Sequence, residues 1–221
     1  MEEWCIPEAN AEYVAKMEDV LEVYQRPYDP LRPVVCIDEM NRQLVEETRI
    51  PCKPGQPEKV DSEYVRKGVM DVFMIAEPLA GKRDTVITQT RTAVDFAHVL
   101  KHTSDVLYPQ AEKIILVTDN LNTHTIASLY KAFAPAEARR LAERFQWHYT
   151  PKHGSWLDMA EIELSILSRQ ALAKPKPDAD TFARAVRSWT ACRNAECSKI
   201  LWQFSSADAR INLAKLYPSL V

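Results

Sequence analysis

Apolar positions along the chain follow two periods. In PEANAEYVAKMEDVLEVY (7–24), Val14, Met17, Leu21 and Tyr24 recur at helical spacing and Pro7 suits a first turn, which predicts an N-terminal helix. VVCI (34–37) and IILVT (114–118) are instead short, β-branched and apolar throughout, the pattern of strands covered on both faces. QLVEETR (43–49), VFMI (72–75), DTVIT (84–88) and FQWHYT (145–150) predict further strands with turn signals between them. Helical spacing returns at 91–107, 123–133, 136–145, 158–172, 180–194 and 206–217. One helix, then strands, then helices alternating with strands, predicts an α/β class with a mixed sheet of about five or six strands. Pro27, Pro30 and Pro33 mark a turn, and Pro51, Pro54, Gly55 and Pro57 an exposed loop.

Composition narrows the field mainly by exclusion. A chain of 221 residues suits one sizeable core and is short for two. No window approaches the roughly 18 consecutive apolar residues of a membrane span, and the acidic start MEEWCIPEAN is unlike a signal peptide. The expectation is a cytoplasmic protein with no membrane partner. The 5 cysteines form no CxxC pair and read as reduced and structural, and the 4 glycines leave no phosphate-cradling GxGxxG or GxxxxGK[ST] loop. A net charge of −3 announces no nucleic-acid binder, and a mild basic excess after Pro151 suits a solvated helical surface as well as a DNA-facing one.

Candidate chemistry lies in the carboxylates. Both continuously apolar strands run directly into an aspartate, Asp38 and Asp119, at the sheet margin where open α/β sheets build sites. Alone, either suits a turn. Clustered acids repel unless a cation or proton holds them, and hard divalent cations choose oxygen ligands. The segment HGSWLDMAEIELS (153–165) offers Asp158, Glu161 and Glu163 on one predicted helix, with Ser155 as its expected N-cap. Glu161 and Glu163 flank the apolar stripe about 160° apart, so periodicity does not choose between them. Asp158, one turn before Glu161, suits the helix N-terminal dipole.

The segments CIDEMNRQL, ILVTDNLNTH and TPKHGSWLDMAEIELSILSRQ, with WCIP near the start and EYVRKG between, resemble the catalytic domain of bacterial insertion-sequence transposases of the mariner superfamily, the DDE transposases. The resemblance runs from Trp4 to about Tyr217. It implies a ribonuclease-H-like mixed sheet of about five strands flanked by helices: an N-terminal linker and helix (1–32), a catalytic core (33–175) and C-terminal helices packed on it (176–221), one domain overall. It implies Asp38, Asp119 and Glu161 as the catalytic acids and the ligands of two Mg²⁺ or Mn²⁺ ions, with Glu163 a neighbour. Asp158 stands where the family usually has Asn and is expected to modulate the site. The implied activity is cleavage of DNA at transposon ends and strand transfer into target DNA at TA dinucleotides, by a homodimer on the DNA. The paired helix-turn-helix units that read transposon ends in the family have no counterpart in the sequence. A nuclease without strand transfer and an inactive remnant that only binds DNA or intact transposase are the alternatives.

Around these acids, His124 and His153 suit either contacts to phosphate or packing and capping, and Lys152, Arg169, Lys174 and Lys176 suit phosphate contacts. A zinc site of His124, His148 and His153 has no ligand spacing to recommend it. Trp156 is expected to pack against the start of the helix.

Overall fold

Five strands form a single mixed sheet in the computed structural model, which describes residues 10–50 and 59–218. They are β1 (Val34–Ile50), β2 (Lys59–Glu77), β3 (Lys82–Thr88), β4 (Ile114–Thr118) and β5 (Phe145–Tyr149), in the order β3-β2-β1-β4-β5. β1, β2 and β3 are antiparallel neighbours, whereas β1, β4 and β5 run parallel, with Ile37 opposite Thr118 and Thr118 opposite Tyr149. The parallel half needs crossovers, and helices supply them. These are α2 (Ala93–His102) and a π-helical turn (Thr103–Leu107) before β4, then α3 (Ala127–Ala132) and α4 (Pro135–Arg144) before β5. α1 (Ala11–Tyr24) precedes the sheet, and α5 (Met159–Gln170), α6 (Ala179–Ala195) and α7 (Ser206–Asn212) follow it.

The side-chain alternation of β1 divides the core. Cys36 points to one face with Met17, Leu21, Val72, Leu164, Leu167, Phe182 and Val186, under α1, α5 and α6. Val35 and Ile37 point to the other with Phe73, Phe96, Leu100, Leu116, Leu129 and Leu141, under α2, α3 and α4. Burial on both faces is why VVCI and IILVT are apolar without alternation.

Several expected boundaries move. QLVEETR is not a separate strand but the far part of β1, and VFMI is the inner part of β2, so the sheet has five strands. Polar residues entered β1 after Ile37 and read as a break, yet antiparallel pairing with β2 continues through them. The helix read at 91–107 becomes α2, opened by a Thr92/Asp95 capping box, and its π-helical extension. Phe145, read both as the end of a helix and as the start of a strand, begins β5, and the helix read from 123 starts at Ala127. α1 is capped by the Asn10 side chain, which accepts from the Glu12 N–H; Pro7 and the loop at 51–58 lie outside the described residues. Cys36 is free and buried as expected, but Cys192 and Cys197 are free and exposed, so they are not core residues. No described helix is long and apolar enough to cross a membrane.

Candidate active site

Asp38 follows the last residue of β1 that pairs with β4, and Asp119 follows the last residue of β4, so the two acids emerge side by side at the same margin of the sheet. Asp38 is 7% exposed, and its own carboxylate accepts the Glu39 N–H at 2.8 Å. Asp119 is less enclosed, and its Oδ1 accepts the Leu121 N–H at 3.2 Å.

The third contribution comes from the entry to α5. A tight turn at Pro151–Gly154, closed by the Gly154 N–H donating to the Pro151 carbonyl at 2.8 Å, leads into a 3-10 turn at Ser155–Leu157. A Cβ on Gly154 would stand 2.5 Å from Pro151 Cγ and 2.9 Å from its carbonyl oxygen, so the turn requires glycine. Asp158, not the expected Ser155, is the N-cap of α5, with Oδ1 accepting the Ala160 N–H at 2.8 Å. Ser155 instead lies a turn earlier, with its hydroxyl near enough to favour the charged form of Glu161, which sits in the first turn of α5.

Asp38, Asp119, Asp158 and Glu161 are near enough for their charges to act on one another. Burial, with the charges of Glu39, Asp119 and Glu161, pushes the Asp38 carboxyl up to about 7. Burial and the Asp38, Glu161 and Asp119 charges push Asp158 up strongly, and burial with the Asp119 charge raises Glu161. Asp158 is 1% exposed and its second oxygen has no hydrogen-bond partner. Its field also reaches the core on the α5 face: burial first, then Asp158, raises the Cys36 thiol. Among the described residues, no three Asp, Glu, His or Cys side chains converge tightly enough to enclose an ion as they are placed.

His124 is fully buried behind Asp119. Its Nδ1 contacts Asp119 Oδ1 and stands 3.2 Å from Thr118 Oγ1, and its ring packs 4.3 Å from that of Phe96. Its Nε2 lies 2.8 Å from Glu39 Oε2, an ion-pair distance without hydrogen-bond alignment. Burial opposes a charge on this imidazole, but the flanking Asp119 and Glu39 carboxylates outweigh it and push the pKa up to about 9. Glu39 had no signal beyond its place next to Asp38. The strand period of two sends it to the opposite face, where it meets His124.

The remaining candidates are not drawn into this cluster. Lys152 and His153 are exposed on the turn before α5, His153 with a positive φ of 64°, and Arg169 is exposed at the far end of α5. His148 pairs with Asp19 at 2.7 Å, away from His124, so the three histidines do not assemble. Trp156 packs as expected, stacking on Trp202 at 6.2 Å and donating to Tyr13 Oη at 3.1 Å, while remaining 40% exposed. Glu163, two residues from Glu161, is wholly buried between Arg83 at 2.6 Å and Arg193 at 3.2 Å. The helix turns the two glutamates to opposite sides.

The family model described as DDE superfamily endonuclease matches residues 33–183, well over half of the chain. The chain belongs to that family. The matched span of this DDE domain includes Asp38, Asp119, Asp158 and Glu161. Among solved structures, it is similar to the Mos1 mariner paired end complex with Mn, at a TM-score of 0.57 and 17% identity over 90% of this chain and 60% of that one. Similarity to the mariner Mos1 paired end complex with Mg is 0.56 at 20% identity, over 90% and 60%, and to the Mos1 strand transfer complex 0.55 at 18%, over 86% and 57%. At these identities the likeness establishes the ribonuclease-H-like fold, and this chain spans about 60% of the length of the paired-end-complex chains. No curated protein matches.

Proposed function

We propose that this DDE domain is the catalytic part of a transposase of the mariner superfamily, of the bacterial insertion-sequence type, which cuts DNA at transposon ends and joins the freed 3′ end to target DNA. The observation that carries the reading is the gathering of Asp38, Asp119, Asp158 and Glu161 from β1, β4 and α5, with burial and mutual charge holding Asp38 at about 7. Such a cluster is costly without a counter-charge. All its donors are hard oxygens, and one buried carboxylate oxygen lacks a partner, which fits Mg²⁺ or Mn²⁺.

Asp38, Asp119 and Glu161 would hold two such ions, which when bound activate the attacking oxygen and stabilise the leaving one. Asp38, on a rigid central strand, fixes the centre of the site. His124, backed by Glu39, restrains the rotation of Asp119 by occupying its Oδ1. Ser155, in the turn before α5, would help to orient Glu161. Asp158, kept neutral by burial and its acidic neighbours, would ionise as a cation offsets them, and so would set how strongly the site draws cations. Lys152, His153 and Arg169, all exposed, would contact the DNA backbone, and His124 would act through Asp119 rather than on phosphate. The domain would work as a homodimer on paired ends, with TA as the target dinucleotide and residues 1–32, 33–175 and 176–221 as linker, core and C-terminal helices of one unit.

Nicking of supercoiled DNA by the purified chain tests this. Cleavage is expected with Mg²⁺ or Mn²⁺ and in no other condition, and Asp38→Asn, Asp119→Asn and Glu161→Gln should each lower single-turnover nicking by several orders of magnitude. Near wild-type nicking by any of the three displaces that residue from the site. A labelled-end assay for joined products separates a transposase from a nuclease that only hydrolyses.

A further inference from the structure

β1 outruns β4. Pairing between them stops at Ile37 and Thr118, while β1 continues, and among the described residues its β4-side edge meets no strand until Lys176 bridges to Leu44, with the Val45 N–H donating to the Lys176 carbonyl at 2.9 Å. Next to that bridge lies a groove of about 420 Å³ whose walls include Arg42, Ser168, Lys174, Lys176 and Phe182. Its lining holds three cations and no carboxylate.

The groove is in line with the acid cluster by two independent measures. Arg42 is four residues beyond Asp38 along regularly paired strand, on the same face and about 13 Å away. Ser168 is seven residues beyond Glu161, two turns along the same face of α5 and about 10 Å away. Arg42 Nη2 donates to Ser168 Oγ, so β1 and α5 meet at the groove as they do at the acids. With Nη2 anchored in this way, the guanidinium is held in a fixed orientation. Its Nε is buried without a hydrogen-bond partner, and among the described residues none of Arg42, Lys174 and Lys176 is paired with a carboxylate. An oriented guanidinium and two flanking ammonium groups, with no carboxylate in the lining, are the recognition chemistry of a phosphate diester.

We propose that this groove binds the DNA backbone, seating a phosphate about three to four nucleotides from the bond that is cut, at roughly 3.4 Å per nucleotide. The assignment rests on the DNA-cleaving reading of the acid cluster for its distance from the cut, but it concerns binding and is tested without catalysis.

The test is fluorescence anisotropy of the full chain with a labelled duplex of arbitrary sequence, in EDTA, between about 50 and 200 mM salt. Arg42→Ala should lower the slope of log affinity against log salt by about 1, and the double variant Lys174→Ala/Lys176→Ala by about 2, with weaker binding at every salt. Arg42→Lys should keep most of the slope but bind less well, since the charge remains and the fork is lost. Lys131→Ala, at an exposed position of α3, should leave the slope unchanged. Both lysines lie outside the packed core, so their variant stays informative if Arg42→Ala melts early. Wild-type slopes in the Arg42→Ala and double variants, a slope lost equally in Lys131→Ala, or absence of DNA binding by the wild-type chain would each overturn the proposal. Binding of inorganic phosphate that depends on Arg42, with an unchanged DNA slope, would mark a free-phosphate site and overturn it too. Lost slopes in a chain that cuts no DNA would instead sink the transposase reading and leave the groove standing.

Discussion

Glu163 touches no part of the acid cluster, yet it is the acid of α5 on which the fold most depends. Its carboxylate is wholly buried and holds two guanidiniums, Arg83 from β3 and Arg193 from α6; although burial opposes ionisation, these two keep it below the usual carboxylate range. Glu163→Gln leaves the buried Arg83 guanidinium without its counter-charge and Arg193 with only the exposed Glu196 at 3.8 Å, a change that costs about 3–5 kcal/mol for a buried ion pair. The melting temperature should fall by on the order of 10 °C, measured by calorimetry, while nicking below the transition is retained. A wild-type melting temperature would show that the pair contributes nothing. Asp38 has the opposite effect on stability. Its carboxyl rises from 3.8 to about 7 on folding, so the stability it contributes is present at low pH and is lost as pH rises through about 7. His124 rises from 6.5 to about 9 and loses its contribution over that higher window. In EDTA, melting temperature against pH should therefore decline from about 5 to 7 and again from about 7 to 9. Asp38→Asn should flatten the first decline and His124→Asn the second, by a few degrees each; unchanged profiles would exclude these groups as the cause.

At the level of elements, the sequence was most readable where one physical constraint acted alone. β4 is four apolar residues and a threonine, all buried, and its boundaries were read as they stand. β1 was read as two strands because its inner part obeys double burial, while its outer part leaves the helical layers and tolerates charge; only pairing with β2, a long-range fact, joins them. The same limit applied to α5. Apolar spacing gave the helix and the neighbourhood of its acids, but two boundary glutamates look alike in one dimension. Arg83 and Arg193, 80 and 30 residues away from Glu163, are what separate their roles. Ser155 lost the cap position to Asp158 because a 3-10 turn intervenes, and no local composition distinguished a single 3-10 turn from the first turn of an α-helix. The Glu39–His124 contact was out of reach for a related reason. It joins β1 to the loop after β4, and neither residue has a spacing that announces the other.

Across the whole molecule, Asp38 and Asp119 stand at the sheet margin and Asp158 and Glu161 on α5, while their supports come from both ends of the chain. α1 reaches the entry to α5 through Tyr24, whose hydroxyl donates to the Leu157 carbonyl at 2.6 Å, and reaches β5 and the C-terminal region through Asp19–His148 and Glu18–Arg210. Arg193 lies ten residues beyond the span matched by the family, and α1 lies wholly before it. The span shared by the family is therefore smaller than the unit that folds. A fragment of residues 33–183 would leave Glu163 with one guanidinium instead of two and strip the α1 layer from Cys36 and Val72. It is expected to lack a cooperative melting transition and to be digested rapidly by trypsin under conditions where the full chain resists. Adding a separate peptide of residues 10–26 should not restore protection unless the C-terminal helices are also present. Evolution can thus exchange what is attached outside this unit, but a cut placed inside it at the family boundary would divide one cooperative structure rather than separate two.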